Sequence, residues 1–197
     1  MKSFSVLSLT LVLMLSLASC GNNDNTSSNN PSVSTNASSS TQDTQHTEMN
    51  FTQIQAGDYS SLLGTWIEVA YSDNLFDGSG AQWHAGTSAI SPTLSVSTDK
   101  IVLNHSAMVM QGNTITDNAG SHLLSFVNNK GTLYAGLADA NTAIYWAVTF
   151  YPKGIANEIQ PNNGVKIDNT KNLIGIWYSG MQNEMIFAQT NASNSGS

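Results

Sequence analysis

From Thr65 onward, apolar residues recur at every second position in short runs broken by Gly, Asn, Asp and Ser. That period belongs to an extended strand with one buried face. Leu133, Ala135 and Leu137 fall on one side of a run whose other side carries Tyr134 and Gly136. Ile144, Trp146, Val148 and Phe150 repeat the pattern in the next run, and Ile174, Ile176 and Tyr178 oppose Gly175 and Trp177 in a later one. Runs of this kind predict strands near Thr65–Tyr71, Thr93–Ser97, Lys100–Asn104, Ala107–Gln111, Thr114–Asp117, His122–Asn128, Thr132–Ala138, Ala143–Tyr151, Val165–Ile167, Leu173–Tyr178 and Glu184–Ala188. Thr98-Asp99, Gly112-Asn113, Asn129-Lys130-Gly131, Asp139-Ala140-Asn141 and Gly180-Met181-Gln182 supply the turns. A helical signal is confined to Phe51–Ala56, with Asn50 as its cap, Phe51 and Ile54 on one face and Gly57 as its stop. The expectation is an all-β domain over residues 49–190, a small antiparallel barrel or a sandwich, followed by a disordered tail at 191–197.

The first 47 residues follow other rules. Lys2 precedes an apolar run from Val6 to Leu17, too short to cross about 30 Å of hydrocarbon comfortably, and Leu17-Ala18-Ser19-Cys20 closes it. Residues 1–19 therefore read as a signal peptide. The four closing residues resemble a bacterial lipobox, which implies a diacylglyceryl group on the Cys20 sulfur and cleavage just before it. The alternative is ordinary secretory cleavage near Ala18, with Cys20 left as a free thiol. The chain has one cysteine, and it stands where a lipobox needs it. Two acyl chains hold a protein stably at a bilayer where one is marginal. In the stretch from Gly21 to Thr47, 20 of 27 residues are Ser, Thr, Asn or Gln. Such a segment cannot bury enough surface to offset its ordering entropy, so residues 20–48 read as a lipidated cysteine and a disordered tether.

Charge narrows the partners. Six lysines face 13 acids and there is no arginine, for a net charge of −7. No basic face or bidentate phosphate reader exists for nucleic acid. Loss of Lys2 with the signal peptide leaves 5 lysines against 13 acids, or −8, so lipid rather than electrostatics must hold the mature chain on an anionic bilayer.

Met49-Asn50-Phe51, with Gly57-Asp58-Tyr59-Ser60-Ser61-Leu62-Leu63-Gly64-Thr65-Trp66, resembles the opening of a domain-of-unknown-function family found in lipoproteins of lactobacilli, streptococci and related Gram-positive bacteria. Phe150-Tyr151-Pro152-Lys153-Gly154 and Asp168-Asn169-Thr170-Lys171-Asn172 are similar to that family's C-terminal half. Many relatives carry a positive residue after the Asp-x-x-Lys segment, where this chain has Leu173-Ile174-Gly175. The resemblance implies a lipid-anchored protein on the extracytoplasmic face of a Gram-positive cell membrane, and brings no activity with it. Gly64-Thr65-Trp66 is also similar to the Gly-x-Trp that opens lipocalin-like barrels.

Candidate chemistry is sparse. His84, His105 and His122 invite a metal, but none has a His-x-His or His-x3-His partner, so no metal site and no cofactor is assigned. Met108 and Met110 share a strand face and suit core filling better than copper. Asp73-Asn74-Leu75-Phe76-Asp77-Gly78 starts like a calcium loop, but Leu75 and His84 occupy positions that need oxygen ligands. Ser97-Thr98-Asp99-Lys100 matches Ser-x-x-Lys, yet at a turn rather than on the helix which that chemistry uses. No catalytic residue is assigned. Trp66, Trp146 and Trp177 read as core, whereas Trp83, Leu75 and Phe76 stand in a Gly-rich polar stretch and are the candidate ligand contacts. The functional expectation is a non-enzymatic binding or interaction module for a surface protein. The alternatives are a carrier of a small apolar ligand in a barrel cavity and a His-based metal-binding protein.

Overall fold

The computed structural model describes residues 48–104, 107–139, 141, 145–155, 159, 161 and 163–190. The calls on Cys20, the 21–47 tether, His105 and the 191–197 tail lie outside these residues. Asn50 opens the fold: its side chain accepts from the Gln53 amide at 3.1 Å and caps α1 (Phe51–Gln55). Gly57 stops the helix at φ 79°, and a 3-10 turn (Ser60–Leu62) leads into the sheet.

Eleven strands follow: β1 (Thr65–Asn74), β2 (Ala81–Ala85), β3 (Leu94–Val96), β4 (Lys100–Leu103), β5 (Met108–Gln111), β6 (Thr114–Asp117), β7 (Gly120–Asn129), β8 (Thr132–Leu137), β9 (Trp146–Tyr151), β10 (Leu173–Tyr178) and β11 (Asn183–Thr190). From β3 to β11 each pairs antiparallel with the next, β3 pairs with β1, and β11 closes on β1. The result is a closed ten-stranded barrel with β2 as an extra strand, an architecture consistent with lipocalin-like barrels. Closure satisfies the edges that a sandwich would leave open.

The extra strand has a simple origin. β2 pairs with the upper half of β1 through Ala70↔Ala85, and continuing that register would put residue 89 opposite Trp66. Leu94 stands there instead, five residues later. β2 and β3 are thus two halves of one barrel strand, separated by an insertion that runs from Gly86 to Thr93. The sequence pattern misses β2 because Gln82 and His84 stand between glycines. The predicted strand at Val165–Ile167 is not one: both residues lie in the 152–172 crossover and pack against the outside of the sheet.

A bulge in β1 decides what faces the interior. Glu68 opposes Phe187 and Ala70 opposes Ile186, leaving Val69 as the extra residue. Below the bulge Trp66 and Glu68 point into the barrel; above it Tyr71 does, opposite Met185. Ala70 is turned outward to join Tyr151, Leu173, Ile186 and Ala188 under Ile159, Val165 and Ile167 of the crossover. The interior is filled by Ile101, Met108, Met110, Ile115, Leu133, Phe150, Ile174 and Phe187, all fully buried. Burying each such side chain contributes about 1.5–3 kcal/mol.

The N-terminal segment plugs one end. Tyr59 N–H donates to the Thr98 carbonyl at 2.8 Å and its hydroxyl donates to the Gly112 carbonyl at 2.9 Å, so the plug is bonded to the β3–β4 and β5–β6 turns. Burial pushes the Tyr59 phenol up to about 12. Trp66 lies above the plug, its indole N–H donating to the Leu62 carbonyl at 3.0 Å.

Candidate functional site at the open end of the barrel

Opposite the plug, the loops after β1, β2 and β10 meet around a cavity of about 290 Å³. Tyr71 and Met185 form its floor on the closing pair β1–β11; Leu75 and Phe76 come from the β1–β2 loop, Ile90 from the insertion before β3, and Met181 from the β10–β11 turn. Its size sits at the lower edge of the roughly 300–1,000 Å³ usual for ligand pockets. That is room for a short alkyl tail or one large side chain.

The rim is apolar and held open to solvent. Eight large hydrophobic residues are exposed among the described residues, and four of them, Leu75, Phe76, Ile90 and Met181, line this one cavity at 63% exposure or more. Scattered exposed apolar residues need no explanation, but their convergence on a concavity does. The backbone is constrained to present them. Phe76 sits at φ 56°, a region that disfavours a bulky side chain, and its amide is held there by the Asn74 side-chain oxygen at 2.9 Å. Gln182 is also left-handed at φ 49°, and its side-chain oxygen accepts from Asn74 Nδ2 at 2.7 Å.

The cavity wall also carries polar groups, with Asp73 as its one charged residue. Asp73 Oδ1 lies 3.0 Å from His84 Nε2, and His84 stacks on Tyr71 at 4.8 Å. Asn183 Oδ1 is buried with no hydrogen-bond partner. Behind the Ser88 wall, Glu68 is 4% exposed; its Oε2 accepts from the Ser88 amide at 2.6 Å and hydroxyl at 2.9 Å, while Oε1 has no partner. Burial raises the Glu68 carboxyl above its ordinary range, against the opposing pull of the two Ser88 hydrogen bonds.

Charge divides between the two ends of the barrel. Of the five described lysines, Lys100, Lys130, Lys153 and Lys171 lie at the plugged end, together with Glu48, Asp58, Asp99 and Asp168, and Lys166 lies on the crossover between Val165 and Ile167, which pack in the outer cluster with Trp83. Asp73, Asp77, Asp117 and Asp139 lie at the open end, and no lysine lies on any loop there.

Of the three ligand contacts expected from sequence, the structure brings Leu75 and Phe76 together at this rim. Trp83 stands elsewhere, half-buried opposite Ser72 and packed against the outer apolar cluster. Tyr71, Ile90, Met181 and Met185 join the site from three further segments, with no local signal in the sequence to single them out. The histidines are separated: His84 is on β2, and His122 is on β7, 3.7 Å from Asp117. Among the described residues no three His, Cys, Asp or Glu side chains converge as a metal site would require. Neither described histidine is hydrogen-bonded to a hydroxyl, so no nucleophile relay is assembled there. Ser97 and Lys100 occupy the β3–β4 turn, where the Ser97 hydroxyl donates to Asp99 at 2.7 Å and accepts from the Lys100 amide at 3.2 Å. No helix among the described residues is long and apolar enough to cross a membrane.

No protein-family model, curated protein or solved structure matches this chain. The chemistry of the open end has to be read from its own geometry.

Proposed function

We propose that this chain is a lipid-anchored, non-enzymatic binding module on the extracytoplasmic face of a cell membrane, and that the open end of its barrel takes up an apolar group. The observation that carries this reading is the convergence of Leu75, Phe76, Ile90 and Met181 on one cavity. Water-exposed apolar area of this kind is a standing cost unless a ligand covers it. The Phe76 backbone adds to that cost, since left-handed strain in a non-glycine residue is worth about 1–3 kcal/mol and persists where the surroundings impose it.

The packed lower interior favours a group held at the mouth over a lipid enclosed along the barrel axis. The test uses the mature chain with Cys20→Ala, titrated with the neutral apolar fluorophore N-phenyl-1-naphthylamine. Fluorescence enhancement is expected for this protein, with loss in the double variant Leu75→Ser, Phe76→Ser at an unchanged melting temperature. Equal enhancement in both proteins would overturn the assignment.

A further inference from the structure

Resting on the binding reading above, we infer that the ligand of the open end is a cationic amphiphile: a short apolar group carrying an ammonium. Three features of the mouth select that class.

The first is the sign of the field. Asp73 is the charged residue on the cavity wall, Asp77, Asp117 and Asp139 stand at the same end of the barrel outside that wall, and every described lysine lies at the plugged end or on the crossover. A concave site lined by one sign of charge on low-dielectric walls concentrates ligands of the opposite sign. A fatty acid or other anionic amphiphile would bring its carboxylate toward Asp73, with no lysine on the cavity wall to receive it.

The second is the hydrogen-bonding capacity of Asp73 on the cavity wall: one of its carboxylate oxygens is taken by His84, which leaves the other for a ligand's donor. An ammonium brings three donors and no acceptor, so it can complete that carboxylate.

The third is the pairing of aromatic and apolar surface around that carboxylate. Tyr71, one face of which is stacked on His84, and Phe76 line the same cavity as Asp73, and a cation over a free ring face gains about 0.5–2 kcal/mol. The apolar tail would then lie among Ile90, Met181 and Met185, with methionine adapting to its shape.

Titration calorimetry at pH 8 of the mature Cys20→Ala chain with octylamine, octan-1-ol and octanoate separates the possibilities. The amine is charged at that pH, as a lysine is. Octylamine is expected to bind at least about tenfold more tightly than octanoate, with octanol between them. Asp73→Asn should reduce the amine's advantage severalfold. Raising salt from about 0.05 to 0.5 M should narrow it in the unmutated chain, a readout that needs no variant. Equal binding of all three compounds would overturn the charge selectivity and leave the apolar mouth standing. Tighter binding of octanoate would overturn the inference outright. Binding of none would overturn it together with the reading on which it rests.

Discussion

Asn74 Nδ2 donates to Gln182 Oε1 at 2.7 Å, joining two loops that are 108 residues apart in sequence. The same Asn74 side chain accepts from the Phe76 amide. One amide thus ties the β1–β2 loop to the β10–β11 turn and fixes the left-handed residue that carries the largest apolar group of the rim. Asn74→Ala removes both bonds. Because they are solvent-exposed, the expected loss of global stability is below about 1 kcal/mol. Amide exchange at 75–80 and 179–182 should nevertheless accelerate by about tenfold or more. Unchanged exchange there would show that the rim is held by something else.

Gly57 and Gly112 meet where the plug seals the barrel. A Cβ built on Gly57 would come within 2.5 Å of Gly112 Cα, and Gly57 lies at φ 79°. Gly57→Ala therefore meets backbone rather than a flexible side chain and adds left-handed strain. A destabilisation of about 2–4 kcal/mol is expected by chemical denaturation. A loss under about 0.5 kcal/mol would mean that the plug is not fastened to this turn.

Glu184 lies on the outer face of β11, close to Gly175, Tyr151 and Ile186, and burial pushes its carboxyl up to about 7. The folded pKa is raised above the ordinary value of 4.5, so the native state holds its proton more tightly than the unfolded chain. This contribution is full below about pH 4.5 and is lost as pH rises through about 7, the direction opposite to that of a salt-bridged carboxylate. The shift corresponds to an upper figure of about 3 kcal/mol. Glu184→Gln should flatten the fall in stability between pH 5 and pH 8. An equally steep fall in the variant would assign the effect to another group.

The expected anchor has its own test. Cys20→Ala removes the chain's only thiol, and the protein should pass from the membrane fraction to the medium. Deleting 21–47 should keep it on the membrane with its melting temperature unchanged. Retention of the Cys20→Ala protein would contradict lipidation.

The barrel wall was legible because its strands obey one local rule. Leu133, Ala135 and Leu137 face inward as their alternation predicts, and Met108 and Met110 fill the core. The rule fails where a residue's burial depends on distant segments. Val165 and Ile167 alternate like a strand, but they are buried against the outer cluster around Ala70 and Ile186, a second layer that exists only once the crossover folds over the sheet. β2 was hidden for the converse reason: its polar residues are held by pairing with β1 rather than by burial. At the open end Leu75 and Phe76 could be singled out as apolar residues among glycines and polar residues. Tyr71, Ile90, Met181 and Met185 become neighbours only when β11 closes on β1, and sequence spacing carries no trace of that closure. Trp83 shows the limit of reading exposure from polar surroundings, since its partners lie across strands.

The most direct test of the open end as the binding mouth is methyl NMR of the mature Cys20→Ala chain, labelled at Leu, Ile and Met and titrated with octylamine. The geometry predicts saturable shifts at Leu75, Ile90, Met181 and Met185, while Leu133 and Ile174 in the packed interior stay unmoved. Shifts centred on Ile54 and Leu62 at the plug, or none at the four mouth residues, would contradict it.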